Sequence, residues 1–285
     1  MYSKKDLRYE FSLSNGTFDK DGNDKISISN VKSSFRFGSY GNYTGVNVDI
    51  MIFGLSIDRL SELSGKGIGI FDNPQSTRVS VYVGNDKLFS GFIVSSYANM
   101  NGQPETAIII NAVAAFDLKV TASSPFSRPG AVSVSSMLDA ICRLNGYEFH
   151  PNGLDGLTAQ NPHFPGSPMD QIRDICLTYD LAYQAFDNTI TVWPAKSSVS
   201  SVVPFISPDH GLIGYPVFTQ GGITFQTQFS TLLSQGRDVE LQTSLPNASG
   251  RYRLTVVEHF LSSWTEGGNW HTVCQSVRIS QGENK

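Results

Sequence analysis

The sequence contains no long apolar run. No window of its 285 residues approaches the roughly 18 to 20 consecutive apolar residues that cross a bilayer, and the N-terminus lacks the apolar core of a secretion signal. Runs of basic residues are equally scarce, and none is longer than Lys4-Lys5. The formal net charge is -4. We therefore predict no membrane insertion and no sequence-specific binding of nucleic acid.

Cysteine is also scarce. The three cysteines are an odd number without a C-x-x-C spacing, which favours a reduced, cytoplasmic environment. Cys142 and Cys176 fall on apolar faces of predicted helices. We expect both to be buried core thiols without a catalytic role.

Motifs for catalysis and for metal binding are missing. There is no G-x-S-x-G, no H-E-x-x-H and no phosphate-binding loop, and the glycines of residues 65–69 lack the Lys-Ser/Thr of a P-loop. The acidic loop at 19–24 matches the first three ligand positions of an EF-hand but lacks its central Gly and final Glu, so a hairpin turn is predicted. We predict no catalytic residue, no cofactor and no metal.

One hairpin collects the candidate interface residues. Of the five histidines, only His259 and His271 can meet across it, and two histidines make a poor zinc site. His259 is expected on a polar face, or paired with Glu258 at a subunit contact. Trp264 and Trp270 flank its loop as a packed cross-strand pair or as interface anchors. His259, Trp264 and Trp270 are therefore the candidate interface residues.

Alternation of apolar and polar residues predicts strands in both halves of the chain. The first half has candidate strands at residues 8–13, 25–31, 45–55, 77–83, 87–98 and 106–114. The second half has them at residues 223–229, 238–244, 251–262 and 270–279. The blocks 79–114 and 239–277 share one order of strands and turns, which suggests a duplicated β domain.

Helical spacing is confined to three segments. Ser56 is predicted to cap a short helix that Gly65 terminates, and residues 134–145 place apolar side chains on one helical face. Ser167-Pro168-Met169-Asp170 is a helix start of the capping-box type. Short strands at 147–150, 181–186 and 189–193 accompany the last two helices. Residues 196–204 are predicted to be a linker.

Several of these segments together resemble the baseplate hub proteins of contractile-tailed phages. In the C-terminal part the resemblance rests on G-L-I-G-Y-P, on S-L-P-N-A-S-G-R-Y, on Glu258-His259 and on the spacing of Trp264 and Trp270. In the N-terminal part it rests on Gly16-Thr17-Phe18 and on the segment from Ile52 to Leu63. It covers most of the chain as an order of elements.

The resemblance implies a mainly β (α+β) fold with two tail-tube-like antiparallel β-barrel or sandwich domains. The expected borders are 1–118 for the N-terminal β domain, 119–200 for a small α/β region and 201–285 for the C-terminal β domain. It also implies a structural role as a homotrimer. Three copies of two similar domains would form a pseudo-six-fold ring that adapts the six-fold tail tube to the three-fold central spike and encloses a channel for genome passage.

The expected partners are further copies of the chain, the tail tube protein, the central spike protein, other baseplate proteins and the tape measure protein. The expected location is the virion tail baseplate, after synthesis in the bacterial host cytoplasm.

Two alternative functions belong to other classes of protein. A tail-associated glycan or cell-wall hydrolase would use two carboxylates among Asp170, Asp174 and Asp180, although the first two are solvent-face neighbours on one helix. A glycan-binding β module would use Trp264 and Trp270.

Overall fold

The computed structural model describes residues 5–14, 16–18, 22–41, 45–65, 77–102 and 104–279. Contacts group the chain into two units. Unit 1 comprises Met1–Gly38, Asn47–Phe116 and His259–His271, and unit 2 comprises Ser39–Val46, Asp117–Glu258 and Thr272–Lys285. The borders expected at residues 118 and 200 stay a prediction. Residues 19–21 of the acidic loop and 66–69 of the glycine-rich segment lie outside the described residues.

Strands make up 48% of the structure and helices 14%, which confirms the mainly β prediction. The strands are β1 Leu7–Leu13, β2 Lys25–Ile28, β3 Ser33–Ser39, β4 Val46–Phe53, β5 Thr77–Val83, β6 Asp86–Asn99, β7 Ala107–Val113, β8 Phe126–Ser127, β9 Ala131–Ser133, β10 Glu148–Pro151, β11 Thr158–Gln160, β12 His163–Phe164, β13 Leu181–Phe186, β14 Thr189–Pro194, β15 Phe205–Ile206, β16 Leu212–Thr219, β17 Gly222–Gln228, β18 Asp238–Leu241, β19 Gly250–Ser263 and β20 Trp270–Arg278. The helices are α1 Ile57–Leu63, α2 Phe116–Val120, α3 Val134–Leu144 and α4 Pro168–Thr178.

Unit 1 is built on one antiparallel ladder. Its strand order is β2-β1-β5-β6-β7-β4-β3, and the parts of β19 and β20 that belong to this unit follow β3. Leu7, Tyr9 and Phe11 alternate with partly exposed residues along β1 and are fully buried. This alternation places one face of the strand in the core, as the period of two predicts.

The predicted helix α1 is confirmed together with its cap. The Ser56 hydroxyl accepts a hydrogen bond from the Arg59 backbone N–H at 3.3 Å, which satisfies one of the free donors of the first turn. Leu60 and Leu63 are its buried residues. The helix is short because Ser64 returns to an extended conformation.

Unit 2 contains the two longest helices and a small sheet. Strand β10 runs parallel to β14, and β13 pairs with β14 in the antiparallel direction. The predicted capping box of α4 is present, because the Ser167 hydroxyl accepts from the Asp170 N–H and the Asp170 carboxylate accepts from the Ser167 N–H. Cys142 and Cys176 are buried, as predicted.

The other part of unit 2 is mainly antiparallel, although β15 runs parallel to β18. The order β16-β17-β20-β19 continues to β18, which in turn pairs with β15. Its core includes Ile223, Phe225 and Leu254. Strands β18, β19 and β20 form the same meander as β5, β6 and β7, and the central strand has 14 residues in both. This equality agrees with the duplication hypothesis, which stays a hypothesis.

Besides the strands of two or three residues, two longer strands were not predicted, and both break the usual strand pattern. Strand β3 reads SSFRFGS, and its buried Ser33 is held by a 2.8 Å hydrogen bond from the Tyr9 hydroxyl. Strand β16 contains Gly214 and Pro216, which are typical of turns. Its register against β17 shifts between Ile213 and Val217, so these residues occupy an irregular stretch of the strand.

The helices are short. In the part of the chain that the structure describes, none has the length and apolar character needed to span a membrane.

Adjacent glycines at the start of β17 provide a test of backbone packing. A Cβ at Gly222 would overlap the carbonyl oxygen of Ser276, whereas a Cβ at Gly221 would meet nothing within 4 Å. We expect Gly222→Ala to lower the free energy of unfolding by roughly 2–3 kcal/mol, because a backbone atom cannot move aside without disturbing its strand. Gly221→Ala should change it by less than about 1 kcal/mol. Chemical denaturation of both variants measures the difference, and equal effects would contradict this account.

Candidate interaction surface

The β19–β20 hairpin presents an exposed aromatic side chain. Trp264 follows the end of β19 with a φ of 52°, a left-handed conformation that costs energy for a residue other than glycine. Its side chain is 42% exposed. Across the loop, the Ser262 N–H donates to the Asn269 carbonyl at 2.8 Å and closes the hairpin. The loop therefore holds an aromatic side chain at the surface in a defined orientation.

Asp6 joins this hairpin to the start of the chain. Its Oδ1 atom accepts a hydrogen bond from the Trp264 indole N–H at 3.2 Å and from the Ser263 hydroxyl at 3.2 Å. The same oxygen accepts from the Asn30 backbone N–H at 3.0 Å. Sequence reasoning missed Asp6, since these partners are up to 258 positions away and no local pattern marks it.

Lys5 completes the surroundings of the loop. Its Nζ lies 5.1 Å from the centre of the Trp270 ring, within the range of a cation–π contact. A cavity of about 640 Å³ is lined by Lys5, Ser262, Trp264 and residues 265–268. Trp264 and Trp270 thus both contact the segment that precedes β1. Their predicted role at an interface stays a prediction.

His259 is placed in the core. Its ring stacks on Phe37 with 5.0 Å between the ring centres, and burial lowers its pKa to about 3. The imidazole is therefore neutral at pH 7, which argues against a charge-assisted pair with Glu258. His271 instead stacks on Phe260 at 5.2 Å, and burial lowers its pKa as well. Among the described residues no group of three or more His, Cys, Asp or Glu is placed to hold a metal ion.

The carboxylates considered for glycan hydrolysis are held by ion pairs. Arg173 contacts Asp170 at 2.8 Å and Asp174 at 3.0 Å. The hydrogen bond from the Ser167 hydroxyl, assisted by Arg173, lowers the pKa of Asp170. A general acid of a glycosidase needs a raised pKa instead. Asp180 lies apart from the helix at the start of β13, 3.7 Å from Lys196.

The helical thiols are equally unsuited to nucleophilic chemistry. Burial raises the pKa of Cys142 to about 12 and also raises the pKa of Cys176. A nucleophilic cysteine needs a lowered pKa, so that the thiolate is present at neutral pH. Both residues therefore serve packing.

A second surface was not foreseen from the sequence. Strand β16 lies at the end of the strand order of unit 2. Tyr215, Val217 and Phe218 on it are 71%, 65% and 53% exposed. Exposed apolar side chains on an edge strand are typical of surfaces that another chain covers.

The buried ring of His259 predicts a dependence of stability on pH. The unfolded chain takes up a proton at this histidine below about pH 6.5, whereas the folded chain does so only near pH 3. The unfolded state then binds more protons, so this residue should lower stability as the pH falls from about 6.5 towards 3, by up to about 1.4 kcal/mol per pH unit. His259→Phe should give a shallower slope in denaturation curves between pH 4 and 6. An unchanged slope would contradict the neutral, buried state.

The Asp6 junction predicts a loss of stability on truncation. Asp6→Ala leaves the Ser263 hydroxyl, the Trp264 indole and the Asn30 N–H without this acceptor. We expect the free energy of unfolding to fall by roughly 1–2 kcal/mol. Asp6→Asn keeps an acceptor oxygen and should lose less than half as much. Thermal denaturation compares the two, and equal losses would show that the hydrogen bonds contribute little.

Comparison with known proteins finds similarity in structure only. No protein-family model matches the chain, and no curated protein matches its sequence. The 43 kDa tail protein of prophage MuSo2 from Shewanella oneidensis has a TM-score of 0.66 at 8% identity, with 97% of each chain covered. A tail protein from Neisseria meningitidis MC58 has a TM-score of 0.65 at 9% identity, with 96% of this chain and 97% of that chain covered.

A third structure extends the comparison to a secretion system. A component of the type VI secretion system of Escherichia coli, itself similar in structure to the T4 bacteriophage tail proteins gp27 and gp5, has a TM-score of 0.61 at 11% identity. The match covers 88% of this chain and 74% of that chain. The present chain therefore shares the fold of these tail proteins.

Proposed function

We propose that the protein is a structural component of a contractile phage tail and serves as its baseplate hub. The observation that carries the proposal is the similarity of fold to a prophage tail protein along 97% of both chains. Similarity over nearly the whole length leaves little of the chain for an added catalytic domain. We therefore assign a structural role instead of an enzymatic one.

The candidate catalytic groups support the same choice. Arg173 holds Asp170 and Asp174 as ion pairs on one helix, and the pKa of Asp170 is lowered, which is the opposite of what a general acid needs. The buried thiols of Cys142 and Cys176 have raised pKa values. A hydrolase is thus poorly supported by the groups that the sequence first suggested for it.

The repeated meander supports assembly as a ring. Each chain has two three-stranded meanders with central strands of 14 residues. A closed homotrimer of such chains would present six similar elements, which is the number needed to meet a six-fold tail tube. On this proposal the hub adapts the tube to the three-fold central spike and encloses a channel for genome passage.

The exposed edge of β16 supports contact with another chain. Tyr215, Val217 and Phe218 would lose most of their water-exposed apolar area in an assembly. The proposed neighbours are a second copy of the chain, the tail tube protein, the central spike protein, other baseplate proteins and the tape measure protein. The proposed location is the virion tail baseplate, after synthesis in the bacterial host cytoplasm.

The negative charge of the chain agrees with a channel that nucleic acid passes through. A formal net charge of -4 does not attract phosphates over the whole surface. A channel wall that gripped the genome would slow its passage, so an acidic subunit suits this role.

Glycan binding is the alternative from another class. Its support is the exposed indole of Trp264 beside a cavity of about 640 Å³. A glycan that binds the wild-type protein and not Trp264→Ala would favour this function.

The assembly is tested by the mass of the protein in solution. Light scattering should give about 94 kDa, three times the 31.2 kDa of one chain. The double variant Tyr215→Lys/Val217→Lys should lower the mass towards that of a monomer, because two ammonium groups cannot be buried in an apolar contact without a large cost. Leu144→Lys, at an exposed position of α3, is the matched control and should leave the mass unchanged.

Electron microscopy of the same sample should show a ring with a central hole. A chain that stays monomeric both alone and when mixed with its spike protein would contradict the hub role. A trimer whose mass is unchanged in the double variant would place the contact elsewhere than on β16.

A further inference from the structure

Unit 2 contains two adjoining cavities that the proposed function does not use. The first has a volume of about 790 Å³ and is lined mainly by residues 196–201 with parts of β18 and β19. The second has a volume of about 430 Å³ and lies over Trp193 and Gly236. Lys196 and Arg253 line both of them. We refer to the pair as the Arg253 cleft.

The Arg253 cleft has an excess of positive charge. Lys196, Arg251 and Arg253 line the first cavity together with a single carboxylate, that of Asp238. The second cavity is lined by Lys196, Arg253 and Arg278, with no carboxylate among the described residues that surround it. These cations are clustered although the formal net charge of the whole chain is -4. The local field therefore favours a negatively charged ligand.

Asp238 fixes the two guanidinium groups but neutralises only one of them. Its side chain is 2% exposed and contacts Arg253 Nε at 2.8 Å and Arg251 Nη2 at 3.5 Å. The Nη1 atom of Arg253 also donates to the carbonyl of Lys196. Arg253 is thus held rigidly, whereas Arg251 is 43% exposed and keeps donors directed to solvent.

The ion pair of Lys196 does not cancel its charge in the cleft. Its Nζ lies 3.7 Å from Asp180, and both side chains are exposed. Exposed pairs at this distance contribute little free energy and are screened by salt. The ammonium group is therefore free to exchange Asp180 for a better placed carboxylate.

Trp193 adds a buried donor without an acceptor. Its side chain is 1% exposed, and its Nε1–H has no hydrogen-bond partner in the described structure. The indole lines the second cavity beside Gly236. Gly236 has a φ of 78°, and the close approach of the indole ring leaves no room for a Cβ at this position. Because indole can only donate, the missing partner has to be an acceptor.

Gln235 supplies a second donor at the same place. Its Oε1 accepts from the Ser39 hydroxyl at 3.0 Å, so its amide NH₂ is directed away from this bond. The Nε2 atom lies 3.2 Å from the position that a Cβ on Gly41 would take. Gln235, Gly41 and Trp193 all line the second cavity. Gln235 and Trp193 therefore add N–H donors to the residues that line the second cavity together with its cations.

We propose that the Arg253 cleft binds an acidic peptide segment of a partner protein. The carboxylates of the segment would pair with Arg251 and Lys196, and one acceptor oxygen would take the N–H of Trp193. A peptide suits the cleft because apolar atoms of Ala182, Leu254 and Val277 line the second cavity beside the donors. The cations are gathered in one place and do not form the track that a nucleic-acid backbone requires. The proposal does not depend on the hub role.

Binding is tested with hexaglutamate as the probe and hexaglutamine as the neutral control. The intact ¹⁵N-labelled protein has three tryptophans and hence three indole N–H signals, which Trp193→Phe assigns. Hexaglutamate should shift the Trp193 signal downfield and leave those of Trp264 and Trp270 unchanged, since neither lines the cleft. Hexaglutamine should shift none of them. If hexaglutamate leaves the Trp193 signal in place, the proposal is wrong.

Affinity measurements on variants complete the test. Arg251→Gln should weaken binding of hexaglutamate by roughly fivefold or more, because it removes an exposed guanidinium group that is held in the cleft by Asp238. Arg143→Gln removes an exposed cation of α3, outside both cavities, and should change binding less than twofold. Equal effects of the two variants would show non-specific attraction and overturn the proposal. Tighter binding of oligothymidylate than of hexaglutamate, lost in Arg251→Gln, would assign the cleft to nucleic acid instead.

Discussion

Backbone hydrogen bonding along the β19–β20 hairpin constrains each unit, because each unit contains part of the hairpin. Residues 250–258 and 272–278 belong to unit 2, while residues 259–263 and 270–271 belong to unit 1. A strand of 14 residues has to satisfy its N–H and C=O groups along its whole length, so it needs neighbouring strands in each unit. Strand β20 has the same requirement, and β17 lies next to it. The close approach of β17 to β20 leaves no space for a Cβ at Gly222 beside Ser276.

A few buried or half-buried polar groups determine where loops attach to this framework. Asp6 gathers three donors at the end of the hairpin, and Asp238 gathers two guanidinium groups at the start of β18. In each case one carboxylate positions several segments that are distant in sequence. Such groups lose much of their value if one partner is removed, because the others are then left without a counterpart. The surface around Trp264 is organised by Asp6, and the Arg253 cleft is organised by Asp238.

The functional conclusion rests on shape and surface more than on reactive groups. The fold matches tail proteins along nearly the whole chain, at identities of 8–9% for the first two. At such identities the fold is similar, while most of the individual side chains differ. The exposed edge of β16 and the cationic Arg253 cleft are therefore features of this chain, and they offer two chemically different surfaces to other proteins.

Local patterns in the sequence determined most of the secondary structure. The alternation of apolar and polar residues predicted β5 and β13, and the caps at Ser56 and Ser167 predicted α1 and α4, each with the correct first residue. Both signals depend only on residues that are a few positions apart in the sequence. Strands β3 and β16 were missed, since a hydrogen bond from Tyr9 and pairing with β17 override serine, glycine and proline there. The sequence left Trp264 open between packing and an interface, and only the structure shows that it is exposed. His259, expected on a polar face or at a subunit contact, is buried, because solvent exposure depends on neighbours such as Phe37. Asp6, Asp238 and Trp193 acquire their roles only in the tertiary structure, because their partners come from distant parts of the chain.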